Sequence, residues 1–145
     1  MTETIKIAIV DDQTLFREGL KMILQTFDNI ELVLEASNGL ELLADLEKKK
    51  PDVILLDYTM PEMDGYETMV QVKKKYPEIK IIILTMHYDE SLMTYMMQEG
   101  ANGYLLKDEE PQDVQFAIKQ VIKEGVYIPG YVSKALLARM TWMSY

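Results

Sequence analysis

The sequence predicts an α/β fold, a flavodoxin-like, doubly wound five-stranded parallel sheet, and three observations carry that prediction. Five short runs rich in Ile, Val and Leu recur along the 145 residues, each suited to a buried strand and too short for a helix. Segments with apolar positions at helical spacing alternate with them. Most of the runs end in a polar residue of chemical interest, as expected where strands of an open sheet leave the core. Alternation of this kind implies right-handed crossovers with helices on both faces.

Residues 5–10 form the first strand, which stops at Asp11 and Asp12. Asp12 is also a candidate cap for the first helix, whose apolar positions are Leu15, Phe16, Gly19, Leu20, Ile23, Leu24 and Phe27. A second strand covers residues 30–36. Asn38 and Gly39 turn the chain into a helix carrying Leu40, Leu42, Leu43 and Leu46 and closed by Lys48, Lys49 and Lys50, cations that suit a helix C-terminus. Val53, Ile54, Leu55 and Leu56 form the third strand, an unbroken run that reads as covered on both faces. It ends at Asp57, and a carboxylate beside four aliphatics requires a partner or a use.

Asp64 and Gly65 open the third helix, with Met69, Val70 and Val72 inward and Lys73 to Lys75 at its end. Residues 79–84 are the fourth strand, finishing at Thr85. The fourth helix, residues 89–99, holds Met93, Met96 and Met97, which read as core packing, and stops at Gly100. Residues 102–106 lead into Lys107 as the fifth strand. The fifth helix spans residues 110–124, with Pro111 in its first turn and a stripe of Val114, Ala117, Ile118, Val121 and Ile122.

Bulk composition removes several function classes. With no cysteine and one histidine, thiolate catalysis, disulfides and His-rich metal sites are excluded. A net charge of -9 argues against this segment gripping nucleic acid by itself. No apolar run approaches the ~20 residues of a membrane span and no signal-peptide pattern opens the chain, so a cytoplasmic location with no membrane partner is expected. All 24 acidic residues precede position 125, whereas the segment beyond carries only Lys134 and Arg139. Composition therefore changes near residue 125.

If strands one and three are neighbours, as in the order 2-1-3-4-5, Asp11, Asp12 and Asp57 converge on one shallow pocket, with Thr85 and Lys107 at adjoining strand ends. Two carboxylates ~4 Å apart repel by about 4 kcal/mol at an effective dielectric of ~20, so the pocket requires a cation. A hard divalent ion, Mg2+ above others, suits oxygen ligands, and Lys107 adds a fixed charge. An ionised Asp57 in that setting is a nucleophile towards phosphorus, with metal and ammonium neutralising the phosphoryl oxygens and Thr85 donating a hydrogen bond to one.

The residues Asp11, Asp12, Asp57, Thr85 and Lys107, with the loop Met60, Pro61, Glu62, Met63, Asp64, Gly65, resemble the receiver domain of bacterial two-component response regulators over roughly residues 4 to 126. The resemblance implies Asp57 as phospho-acceptor and Mg2+ bound by Asp12 and Asp57, by Asp11 mostly through water, and by the backbone carbonyl of Thr59. It implies Thr85 and Tyr104 as switch residues, and Thr59 and His87 as tuners of dephosphorylation. Asp108 stands where the family often has proline, which leaves the geometry of the Lys107–Asp108 peptide open. A sensor histidine kinase as phosphodonor and homodimerisation on phosphorylation are further implications. Two dimer faces fit: helix four with strand five and helix five, or helices one and five. Phe116, beside the inward stripe of helix five, is a candidate exposed anchor.

Residues 100–108 and 125–140 resemble regulators of the NarL/FixJ type. There the receiver, residues 1–126 here, is followed by a linker and helix, residues 127–145, leading to a DNA-binding domain that is absent from this sequence. Val132, Ala135, Leu136 and Met140 would form the apolar side of that helix. The chain is thus expected to be a regulatory part, not an enzyme acting on an external substrate, that switches a DNA-binding transcription regulator. The alternative is a stand-alone receiver signalling through protein contacts only. A flavodoxin-like cofactor carrier is disfavoured because no G-x-G-x-x-G or P-loop glycine cluster is present.

Overall fold

A computed structural model describes residues 3–60 and 63–130. Five parallel strands, β1 (Ile5–Val10), β2 (Ile30–Ala36), β3 (Val53–Asp57), β4 (Lys80–Thr85) and β5 (Gly103–Leu106), lie in the order β2-β1-β3-β4-β5. Five helices alternate with them: α1 (Thr14–Leu24), α2 (Gly39–Leu46), α3 (Gly65–Lys75), α4 (Glu90–Gln98) and α5 (Pro111–Glu124). The expected fold and strand order are the observed ones.

Strand side chains alternate between two cores, as a pleated sheet covered on both faces requires. Ile7, Ile9, Val53, Leu55, Ile82 and Leu84 pack under Leu20 and Leu24 of α1 and Val114, Ala117, Ile118 and Val121 of α5. Ala8, Val10, Ile54, Leu56, Ile81 and Ile83 face the other way, under Leu42 and Leu46 of α2, Met69 and Val72 of α3, and Met93 and Met96 of α4. Met93 and Met96 are therefore core, as expected, and Met97 packs half-buried against that core. Parallel pairing of β1 with β3 sets Val10 beside Leu56, so the residues that follow them, Asp11 and Asp57, emerge at one edge of the sheet.

Helix starts follow local chemistry. Asn38, Asp64 and Asp89 cap α2, α3 and α4, their side chains accepting from the backbone N–H of Glu41, Glu67 and Leu92. Asp12 does not cap α1. Gln13 holds that position, without a side-chain cap, which leaves the Asp12 carboxylate to the cleft described below. Three large side chains assigned to apolar stripes are exposed: Leu15 (88%), Leu40 (52%) and Ile122 (42%). Helical spacing gives the direction of a stripe, but each lies at the margin of its helix's apolar arc, beyond the reach of the sheet.

Beyond α5, Gly125 takes a left-handed conformation (φ 84°) that ends the helix. Tyr127 then forms a parallel bridge with Gly103, donating its N–H to the Asn102 carbonyl at 2.8 Å. Asn102 ties this end of the molecule together. Its Oδ1 accepts from Lys73 Nζ (2.6 Å) and Ile81 N (2.9 Å), and its Nδ2 donates to the Gly125 carbonyl (2.9 Å). Burial and the neighbouring Lys80 lower the Lys73 ammonium to about 8, with Glu78 opposing. Phe116 is exposed, as suspected, although its ring meets that of Tyr127 edge-on at 5.9 Å. Pro61, Glu62 and the tail residues Val132, Ala135, Leu136 and Met140 lie outside the described residues.

Candidate functional site

The carboxyl ends of β1, β3, β4 and β5 open into a cleft of about 440 Å3 lined by Asp12, Gln13, Asp57, Thr59, Thr85, His87 and Lys107, among others. Asp11 is fully buried, Asp57 is 3% exposed and Asp12 is open to solvent. One carboxylate oxygen from each of the three lies within 4.8 Å of the others. Gly65 allows α3 to start against this rim, because a Cβ there would stand 2.6 Å from Tyr58 Cα and 2.8 Å from the Asp57 carbonyl oxygen.

Lys107 enters from the end of β5, its side chain 5% exposed. Its Nζ lies 2.8 Å from Asp11 Oδ2, 3.4 Å from Asp57 Oδ1 and 2.6 Å from Gln13 Oε1, and 4.7 Å from the centre of the Phe16 ring. The Asp11 and Asp57 carboxylates have further donors: Gln13 N–H to Asp11 Oδ1 at 2.8 Å, and Thr59 N–H to Asp57 Oδ1 at 3.2 Å. Asp11 Oδ2 is different. It is buried with no directed hydrogen bond, its contact with Lys107 being one of charge. One ammonium shared among three carboxylates leaves a negative balance in a partly buried place. A set of hard carboxylate oxygens with one underused buried oxygen and one exposed member fits a divalent cation.

Burial first, and then the Asp11 carboxylate, raise the Asp57 pKa from 3.8 to about 7, against the opposing pull of Lys107 and the Thr59 N–H. Because the folded value is the higher one, Asp57 favours the folded state fully only below about pH 4, and that contribution is lost as pH rises towards 7. Asp57→Asn is therefore expected to stabilise the cation-free protein at pH 8 by on the order of 2 kcal/mol, and far less at pH 4. Urea unfolding at the two pH values measures the difference, and a divalent cation should narrow it by stabilising the wild type.

Thr85 and Tyr104 form a second group behind the carboxylates. Tyr104 is fully buried, with Thr85 Oγ1 3.1 Å from its Oη. Thr85 also lies 3.0 Å from the His87 carbonyl, and Asp89 N–H reaches Tyr104 Oη at 3.4 Å. Asp89 N–H donates to Tyr104 Oη, the Thr85 hydroxyl has both Tyr104 Oη and the His87 carbonyl as acceptors in reach, and the Tyr104 O–H also reaches the His87 carbonyl at 3.4 Å. The Thr85 hydroxyl is thus engaged with the β4–α4 loop. The His87 side chain is exposed at the cleft, as is Thr59. The Lys107–Asp108 peptide is trans.

The structure therefore gathers Asp11, Asp12, Asp57, Thr85 and Lys107 at one rim, with Tyr104 beneath Thr85. Gln13, which precedes α1, and Phe16 on α1 are partners of Lys107 that were not foreseen. They lie more than ninety positions away in sequence, and nothing local to either marks the pairing.

A family model described as the response regulator receiver domain matches residues 7–119. The transcriptional regulatory protein DegU of Brevibacillus brevis is 39% identical over 133 residues, 92% of this chain and 56% of that protein. The oxygen regulatory protein NreC of Staphylococcus aureus is 34% identical over 91% of this chain and 61% of its own length. The chain thus spans little more than half the length of these curated relatives. Among solved structures, the signal receiver domain of the putative response regulator NarL from Mycobacterium tuberculosis is 31% identical, with a TM-score of 0.78, over 85% of this chain and 99% of that one. A LuxR-family response regulator from Aurantimonas shares the fold, with a TM-score of 0.82 at 24% identity over 97% of both chains.

Proposed function

The chain belongs to the response regulator receiver family, and from that premise we propose that it accepts a phosphoryl group on Asp57 and thereby switches a DNA-binding transcription regulator. The observation that carries this reading is the stance of Lys107 between Asp11 and Asp57, at the mouth of a cleft with a cation-binding set of carboxylates. A regulatory signalling domain needs such a site to take one phosphoryl group and hold it, not to turn over an external substrate.

Asp57 presents a carboxylate oxygen to the phosphorus of a phosphodonor. A bond forms between that oxygen and phosphorus, the bond from phosphorus to the donor's leaving atom breaks, and the leaving atom keeps the electron pair. Lys107 offsets charge on the phosphoryl oxygens. Asp11, Asp12 and Asp57, with the Thr59 backbone carbonyl, would hold Mg2+, which supplies positive charge for the carboxylates and the phosphoryl oxygens.

The acyl phosphate adds roughly two negative charges beside Thr85. To donate to a phosphoryl oxygen, Thr85 must release the His87 carbonyl, which also loosens the hydrogen bonds through Tyr104 to the start of α4. That exchange couples the site to the outer surface of the domain. His87 and Thr59, exposed at the cleft, would tune access of water to the phosphoryl group.

The donor in this reading is a sensor histidine kinase, and the setting is the cytoplasm. No helix among the described residues is long and apolar enough to cross a membrane. Phosphorylation would favour a homodimer through α4, β5 and α5 or through α1 and α5. DNA would be met only by a domain following residues 127–145. The longer relatives, named as transcriptional regulators, favour this reading over a stand-alone receiver.

Incubation with acetyl phosphate tests the proposal. With Mg2+, intact mass should show a single phosphoryl adduct, lost on brief treatment with alkali or hydroxylamine as acyl phosphates are. With EDTA the adduct should be reduced at least tenfold. Equal adduct in both would contradict the cation's role.

A further inference from the structure

Lys107 has three close oxygen partners, and the nearest is neither of the carboxylates. Gln13 Oε1 stands at 2.6 Å, Asp11 Oδ2 at 2.8 Å and Asp57 Oδ1 at 3.4 Å. The directed hydrogen bond of this ammonium goes to Gln13, the contact with Asp11 is one of charge, and the contact with Asp57 is the longest of the three. The Phe16 ring, one turn along α1 from Gln13, backs the same ammonium at 4.7 Å. The lysine is thus drawn towards α1 and stands off Asp57.

This stand-off bears on phosphoryl transfer. A donor placed for the transition state must be aimed where the new oxygens will be, not at the ground-state nucleophile. An ammonium closed tightly onto Asp57 would occupy the space the phosphoryl group needs and would weaken the carboxylate as a nucleophile. We propose that Gln13 is a positioning residue: its side-chain carbonyl, supported by Phe16, keeps Lys107 back from Asp57, ready for the incoming phosphoryl oxygens. This rests on Asp57 being the phospho-acceptor.

With Gln13 shortened, the ammonium loses its hydrogen-bond acceptor at the start of α1, and the Asp57 carboxylate 3.4 Å away competes with cleft water for the freed N–H. The fold has no need of the Gln13 side chain, because α1 begins without a side-chain cap and the hydrogen bond to Asp11 Oδ1 comes from the Gln13 backbone.

The test follows adduct formation with acetyl phosphate and Mg2+ by intact mass for wild type, Gln13→Ala, Lys107→Ala and the double variant, with Asp57→Asn as blank. Gln13→Ala should slow the reaction about 3–10-fold when Lys107 is present and change it less than about twofold in the Lys107→Ala background. Nitrogen-15 spectra of the lysine ammonium groups should show the Lys107 signal displaced in Gln13→Ala. An unchanged rate in Gln13→Ala, an equal loss in both backgrounds, or an undisplaced Lys107 signal would overturn the assignment. Absence of any adduct on the wild type would instead remove Asp57 as acceptor.

Discussion

Replacing Lys107 with alanine is expected to slow phosphorylation by acetyl phosphate roughly 100-fold, the scale on which a preorganised charge at a reacting centre acts. Two effects add. The first is loss of the cation that would meet the phosphoryl oxygens, since Lys107 is the one lysine or arginine among the described residues lining the cleft. The second falls on the nucleophile. Asp11 and Asp57 share this ammonium, and burial together with the Asp11 charge already holds Asp57 near 7. Without the ammonium, Asp57 is pushed higher still, and a smaller fraction is ionised at neutral pH. Mg2+ would offset part of the second effect but cannot stand where the side chain stood.

Lys107→Arg should recover little of the rate. The guanidinium is a planar fork that needs more room than a single nitrogen packed among Gln13, Asp11 and the Phe16 ring. Initial rates by intact mass, at saturating Mg2+, measure both variants. A rate for Lys107→Ala within about twofold of wild type would mean that the ammonium serves only to hold the empty site together.

Much of this was legible in the chain because buried parallel strands leave a plain trace. Val53 to Leu56 is an unbroken aliphatic run followed by a carboxylate, a pattern with few structural explanations, and it is β3 at the centre of the sheet. The helix starts at Asn38, Asp64 and Asp89 were readable for a similar reason, since the group that satisfies a helix N-terminus lies within three residues of it, although their capping bonds are seen only in the structure. Periodicity served less well at the edges of helices. Leu15, Leu40 and Ile122 fit the spacing yet face solvent, because spacing gives the direction of an apolar face and the neighbouring layer gives its width.

Contacts distant in sequence were the least legible. The positions of Asp11, Asp57, Thr85 and Lys107 could be joined because each ends a strand and the strand order brings those ends together. Gln13 reaching Lys107 and Tyr127 bridging to Gly103 depend on side-chain reach and on the path after α5, for which no local pattern stands. Gly103 bears a weaker trace: a Cβ there would crowd Ile82 Cγ1 at 3.2 Å, whereas 3.5 Å to Tyr127 Cβ is ordinary contact, so glycine eases the packing beneath the bridge. The candidate role of Asp12 as a cap fails for a different reason. The chain takes one more residue to turn into α1, and the carboxylate stays with the cleft.

The second large effect concerns Asp57 itself, the one side chain here that combines near-complete burial, a raised pKa and a place in the carboxylate set. Asparagine keeps its shape and its contact with the Thr59 N–H but offers no anionic oxygen to phosphorus. Asp11 is fully buried behind Lys107, so it should not take over as acceptor. Intact mass and peptide mapping after incubation with acetyl phosphate and Mg2+ compare the two proteins directly. A single adduct on the wild type, mapped to the peptide bearing Asp57 and lost in Asp57→Asn, is the expected result; an adduct of equal yield on the variant would contradict the account.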